Sequence, residues 1–423
     1  MEKNNLLLNF IDNSPSPYHA VENIIKILEE EGYQPLDLSS SWILEKDQKY
    51  YISINGTALA AFRVGNLDHP YFRIITSHSD SPGFKIKPHG RIKEDKFLKL
   101  NTEVYGGPIL STWFDRTLSI AGRVFYEGDN PYTPHMELLN IEEDLLTIPN
   151  IAIHMNPKVN KGMDFNPQKD TLPFLGYIKK ELEEESLEEM LKSRYSSDRK
   201  IIGFDLNLYD RQKGTRIGMD KEFYHVGKLD NLAMAFSSVQ ALWKSGNSEN
   251  TSMVCIFDHE EIGSGSRQGA LSPILSDIIK RICFYKNNKY ENYSKAMANS
   301  FVISADQAHG VHPNYPEKAD PTHKPLLNQG PVLKVSSSMS YSSDGYSISV
   351  IKSLCDREKI PYQVYTNRSD VKGGSTLGPL LSRQLPIASV DLGNAIFAMH
   401  SIREMGGVKD QEWMEQLFEA FFD

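Results

Sequence analysis

The sequence predicts an α/β fold interrupted by a β-rich insertion, and three observations carry that prediction. After Gly227, short apolar strand-like runs alternate with helix-like ones, the pattern of an α/β sheet. From about Phe84 to Gly218 the texture changes to short alternating segments that read as half-exposed strands. The chain has 423 residues, and at roughly 150 residues per domain that is two to three domains. We therefore expect residues 1–83 and 219–423 to form one discontinuous catalytic domain, with 84–218 inserted as a second.

The elements follow in order. Ser14-Pro15-Ser16-Pro17 opens the first helix, with Ser16 as N-cap and Pro17 at the first helical position. Ala20, Val21, Ile24, Ile25 and Leu28 recur at helical spacing, and Gly32 closes the last turn. Tyr50–Ile54 and Thr57–Val64 flank Asn55-Gly56, the strongest short hairpin signal. Tyr71–Thr76 is a third strand and runs into Ser77-His78-Ser79-Asp80. Within the insertion, Phe84–Lys87 and Ile202–Leu208 alternate as strands, and the charged run from Lys179 to Arg194 reads as a solvated helix face. Beyond it, Asp230 begins a helical run, and Met253–Phe257, Phe301–Ala305, Val332–Val335, Gln363–Thr366 and Ile387–Leu392 are strands.

Composition excludes several classes. With 46 Lys and Arg against 55 Asp and Glu, the formal charge is −9, so the basic excess that binds a phosphate backbone is missing. No apolar run approaches the roughly 18–20 residues of a membrane span, and Met1–Asn5 leads into no secretory signal. Cys255, Cys283 and Cys355 are odd in number and far apart, which argues against a disulfide framework or a Cys-rich zinc site and fits a reducing cytoplasm.

Functional groups in open α/β sheets collect beyond the carboxyl ends of the strands. Those ends carry His78, Asp80, Glu260, Glu261 and Asp306, a set of imidazole and carboxylate that suits zinc or a similar divalent ion. Two other motifs fail. Gly263-Ser264-Gly265 lacks the third glycine of a dinucleotide loop, because position 268 is Gln. Gly373-Gly374-Ser375-Thr376-Leu377 has Leu where a nucleophile elbow needs Gly.

Several blocks, taken together, resemble the aspartyl aminopeptidase family of zinc exopeptidases over nearly the whole chain. They are Ser77–Pro82, Trp113–Arg116, Leu229–Leu232, Glu260–Ser264, Asp306–Tyr315, Gly373–Pro379 and Met399–Met405. The resemblance implies a zinc-exopeptidase-like catalytic domain with an inserted dimerisation domain. It also implies two zinc ions per subunit, for which manganese or cobalt substitutes. His78 and Asp306 would hold one ion, Glu261 and His400 the other, and Asp230 would bridge them. Glu260 would be the general base, and Asp80 would fix the tautomer of His78. His309, Lys334, Tyr341 and Asp370 match positions lining the substrate pocket, with Lys334 pairing an acidic P1 side chain. His154 would reach a neighbouring subunit's active site and bind substrate; a second reading makes it a further zinc-binding His.

The expected activity is removal of N-terminal residues from peptides, acidic ones preferred, by a homo-oligomer of dodecameric type built from dimers. Ser79, His259, Gln329 and Ser340 depart from the family pattern. The last two remove positive charge near the pocket, so preference rather than strict exclusion is expected. A two-metal carboxypeptidase or amide deacylase would use the same groups, and a peptide-binding assembly without catalysis is the remaining alternative.

Overall fold

The computed structural model describes residues 6–178, 186–195, 199–286, 289–371 and 373–423. A nine-stranded sheet organises it, in the order Gln34–Pro35, Lys49–Ile54, Ala58–Arg63, Thr251–Phe257, Phe72–His78, Phe301–Ala305, Ala388–Gly393, Val332–Lys334, Gln363–Tyr365. The four strands from Thr251–Phe257 to Ala388–Gly393 are parallel neighbours. Thr251–Phe257 and Phe301–Ala305 are buried at every residue, as strands covered on both faces must be.

Helices supply that cover. One apolar cluster joins a face of the sheet to helices Pro17–Glu30, Leu229–Lys244, Gly345–Glu358 and Val408–Phe422. A second joins the other face to Ile274–Cys283, Tyr290–Asn299 and Leu377–Leu381. The result is a three-layer α/β arrangement, and the α/β expectation holds.

The hairpin forms where Asn55-Gly56 places it, with φ of 55° and 73° that suit a tight turn between twisted strands. A helix Leu6–Asp12 precedes the one expected first; that one does start at Pro17, but Ser16 does not cap it through its side chain. Its hydroxyl pairs instead with His19 Nδ1 at 2.8 Å. Gly32 ends the helix at φ 83°, where Tyr33 N–H reaches back to the Leu28 carbonyl at 2.9 Å.

Between Gly83 and Asp210 lies a separate antiparallel sheet of six strands, ordered His135–Asn140, Leu118–Tyr126, Ile201–Asp210, Gly83–Glu94, Phe97–Tyr105, Phe174–Tyr177. It has its own apolar cluster around Phe84, Leu100, Trp113 and Leu206. Of the charged run at 179–194, residues 179–185 lie outside the described residues, and helix Leu187–Tyr195 covers the rest. A five-stranded third sheet was not anticipated: Thr215–Ile217, Phe223–Val226, Glu404–Gly407, Ala395–Phe397, Ala308–His309. Among the described residues no helix is long and apolar enough to cross a membrane.

Candidate metal centre

Four of the expected groups stand at carboxyl ends of three adjacent parallel strands. His78 ends Phe72–His78, Asp306 follows Phe301–Ala305, and Glu260 and Glu261 form a short turn after Thr251–Phe257. Asp230 comes from the unwound start of Leu229–Lys244, where Asp230 (φ −84°, ψ 102°) and Asn231 (φ −126°, ψ 22°) are not helical. The Asp230–Asn231 peptide is cis. His400 (φ 68°) projects from the loop before Glu404–Gly407.

These side chains converge. Asp230 Oδ1 is 3.4 Å from His78 Nε2, and its other oxygen is 3.6 Å from His400 Nε2. Asp306 Oδ1 lies 3.6 Å from His78 Nε2, and Glu261 Oε2 lies 3.3 Å from His400 Nε2. Donors around one tetrahedral zinc at 2.0–2.2 Å stand ~3.3–3.6 Å apart, so these spacings suit shared ions better than direct hydrogen bonds. Asp230 Oδ1 and Glu261 Oε1 are buried and receive no hydrogen bond from the described residues. Atoms of His78, Asp230 and Glu261 also lie within 4.8 Å of one another. The residues present therefore fit divalent metal.

A surrounding shell fixes these groups. His78 Nδ1 is 3.0 Å from the Asp80 backbone carbonyl and 3.3 Å from Asp80 Oδ1. Donation from Nδ1–H leaves the Nε2 lone pair facing Asp230 and Asp306. The Asp80 carboxylate accepts the backbone N–H of Glu260 (3.1 Å) and Glu261 (3.2 Å) and the Tyr105 hydroxyl (2.7 Å). His400 Nδ1 faces the Gly107 carbonyl at 3.1 Å, giving it the same tautomer logic. Sequence reasoning assigned no role to Tyr105, Gly107 or Glu404. Glu404 lay inside a recognised block, and an isolated acid there carries no local signal.

Electrostatics mark the site as built for cations. Burial pushes the Glu260 carboxyl up to about 8, and the carboxylates of Asp306, Asp230 and Asp80 add to the push. Burial also lifts Glu261 well above the usual range, with Asp230 contributing. Asp230 goes the other way: burial opposes its ionisation, but His400 and His78 hold it far below the carboxylate range. Crowded carboxyls that resist ionisation together are relieved by a divalent cation.

The residues expected to line a substrate pocket divide. Lys334 is buried rather than solvent-facing; its ammonium donates to the Gln307 carbonyl at 2.8 Å and lies 3.4 Å from Asp306 Oδ2. Tyr341 is buried with its ring 5.4 Å from Lys334 Nζ, and Tyr365 bridges toward His309, their rings 6.1 Å apart. Asp370 is exposed and paired with Arg368 at 2.8 Å. His154 sits in an exposed loop beside the six-stranded sheet, with no described contact to the centre. His259, which precedes the Glu pair, adopts φ 64° and pairs with Ser266 Oγ at 2.7 Å.

An α/β sheet with imidazoles and carboxylates gathered at its carboxyl edge is the framework of a metal-dependent hydrolase. Residues 10–422 match the family described as Aminopeptidase I zinc metalloprotease (M18). The Clostridium acetobutylicum protein named Probable M18 family aminopeptidase 2 is 46% identical over 422 residues, 99% of this chain and 98% of its own length. Among solved structures, the cryo-EM complex of Ape4 and Nbr1 matches with a TM-score of 0.93 and 36% identity, covering 98% of this chain and 84% of the other. The S. cerevisiae mApe1 dodecamer matches with a TM-score of 0.84 and 26% identity over 100% and 96% of the two chains. The chain belongs to the M18 family of zinc metalloproteases and is an aminopeptidase.

Proposed function

We propose that this aminopeptidase works through two divalent ions, zinc by preference with manganese or cobalt as substitutes, and that Glu260 is its general base. His78 and Asp306 would hold one ion, Glu261 and His400 the other, and Asp230 would serve both. The observation that carries this reading is the pair of contacts made by Asp230, whose two oxygens face different histidines at 3.4 and 3.6 Å. Bound ions in such a site acidify water and polarise the scissile carbonyl.

The chain's own groups do the rest. Glu260, held at its backbone N–H by Asp80, accepts the proton of the attacking water and returns it to the leaving amine. Its carboxyl rises toward neutral pH through burial, which suits a group that must both take and give a proton. Asp80 keeps His78 in one tautomer and locks the turn bearing Glu260 and Glu261.

Acidic N-terminal residues are favoured because Lys334 places a buried cation beside Asp306, next to Tyr341 and His309. Among the described residues two acceptors meet its three N–H donors, which leaves one for a P1 carboxylate. Asp370, exposed and paired with Arg368, is assigned to substrate by the resemblance alone.

His154 acts in trans. It is flanked by Ile151, Ile153 and Met155, exposed by 52%, 49% and 70%, an apolar surface suited to burial against a second copy. The six-stranded sheet is then the core of an inserted oligomerisation domain, residues 84–218, and 1–83 with 219–423 form the catalytic domain. A cytoplasmic homo-oligomer of the dodecameric kind solved for mApe1 completes the reading.

A panel of fluorogenic aminoacyl substrates, free and N-blocked, assayed with zinc, manganese and cobalt, tests it. Cleavage of free Asp and Glu substrates in preference to neutral ones, with none of blocked ones, supports it. Equal cleavage of blocked substrates overturns it.

A further inference from the structure

Glu404 binds the two halves of the metal centre to each other through the backbone. Its side chain is buried, with 2% of its surface exposed. One oxygen accepts the backbone N–H of Asp230 at 3.0 Å, and the other accepts the backbone N–H of His400 at 2.8 Å. Asp230 and His400 are 170 positions apart in sequence, and each supplies a group to the centre. Among the described residues no Lys or Arg pairs with Glu404; Arg403 beside it points away to Asp210 and to the carbonyls of Gln212, Lys213 and His225.

We propose that Glu404 is a positioning residue that sets the separation of Asp230 and His400 and so tunes metal affinity. The proposal rests on the reading that these two residues hold metal. A neutral side chain could tie one backbone N–H to another segment at less cost, because burying a carboxylate without a cationic partner is unfavourable. The carboxylate has two advantages here. It offers an acceptor on each oxygen, so both N–H groups are satisfied at once. It also adds negative charge close behind the cluster, where divalent cations would compensate it.

The fold makes the arrangement geometrically stiff. Glu404 opens the strand Glu404–Gly407, which pairs with Phe223–Val226, the strand leading into Leu229 and Asp230. Val226 stands opposite Glu404 in that register. His400 is held from its other side as well: Ile109 N–H donates to its carbonyl at 3.0 Å. Glu404 is therefore the link through which the shared carboxylate and the second histidine move together.

The test is titration of the metal-free protein with zinc alone, against a competing chromogenic chelator, for wild type, Glu404→Gln, Glu404→Asp and Asp230→Ala. Melting of each metal-free protein is the folding control. Glu404→Gln keeps the shape but presents an amide NH₂ to one of the two N–H groups, and zinc affinity should fall about 10- to 100-fold. Glu404→Asp, with both acceptors retained on a shorter stem, should recover part of that loss. In fully loaded Glu404→Gln enzyme, kcat should fall while KM for a peptide substrate stays near wild type. If both Glu404 variants bind zinc within twofold of wild type while Asp230→Ala loses it, the metal reading survives and the role of Glu404 is refuted. If Asp230→Ala binds zinc as wild type does, the metal reading itself fails and the proposal falls with it. Lower melting temperature without lower zinc affinity would make Glu404 structural only, and would refute the proposal equally.

Discussion

Asp80 Oδ1 lies 3.3 Å from His78 Nδ1, and the Asp80 backbone carbonyl meets the same ring nitrogen at 3.0 Å. One residue thus orients an imidazole while its carboxylate holds the N–H groups of Glu260 and Glu261. Asp80→Asn would replace one acceptor with a donor facing an N–H. We expect a stability loss of about 1–3 kcal/mol from the unsatisfied group, and a roughly 10- to 100-fold loss of zinc affinity. Thermal melting and zinc titration measure both; unchanged zinc binding would separate Asp80 from the centre.

Loss of Asp230 should be more damaging than loss of any other single ligand. Its oxygens face His78 and His400 separately, so on the proposed reading Asp230→Ala would remove a donor from both ions. Elemental analysis should show both sites depleted, and zinc should raise the melting temperature of wild type but not of the variant. Depletion at one site only contradicts the shared role.

Stability of the metal-free protein should fall as pH rises. Burial, with nearby carboxylates, raises Glu260 to about 8 in the folded state, and burial with Asp230 raises Glu404 to about 8. In the unfolded chain both titrate near ~4.3. Between these values the folded state holds more protons, so stability is greatest below about pH 4.5 for these groups and declines up to about pH 8. Asp230, depressed in the folded state, works oppositely, and its contribution disappears in acid. Metal-free melting temperatures measured from pH 5 to 8 should decrease, and zinc binding at pH 7 should release protons detectable by calorimetry in buffers of different ionisation enthalpy. No proton release would contradict the crowded-carboxyl account.

The sequence shows which strands carry chemistry, because His78, Asp306 and the Glu260-Glu261 pair each follow an apolar run that ends abruptly. It does not show the third sheet. Ala308–His309 pairs with Ala395–Phe397, and segments of two and three residues leave no periodic trace. Glu404 escapes notice for a related reason, since its partner Asp230 lies 174 positions away. Lys334 looks exposed in an alternating run, yet Val332–Lys334 is buried throughout because Asp306 and the Gln307 carbonyl satisfy its ammonium.

Lys334→Ala should alter specificity more than turnover of neutral substrates. A hydrogen bond to a charged group contributes roughly 1.5–3 kcal/mol, so kcat/KM for Asp and Glu substrates should fall about ten- to hundred-fold further than for Leu substrates. Uniform loss across substrates would assign Lys334 to holding Asp306 alone.

His154→Ala should reduce activity while leaving metal content intact. Mixed oligomers of His154→Ala and Glu260→Gln subunits should regain activity if, as proposed, a site with Glu260 borrows His154 from its neighbour. Verified mixed oligomers that stay inactive contradict trans completion, and metal loss in His154→Ala would make His154 a zinc ligand.

The most direct test of the account is Glu260→Gln, with zinc content and kcat measured on the same preparation. The amide preserves the shape but cannot accept the water's proton. The account predicts zinc stoichiometry equal to wild type and kcat lower by about 10²–10⁴-fold or more. Loss of zinc along with activity would place Glu260 among the ligands, and wild-type turnover with full zinc would show that another group moves the proton.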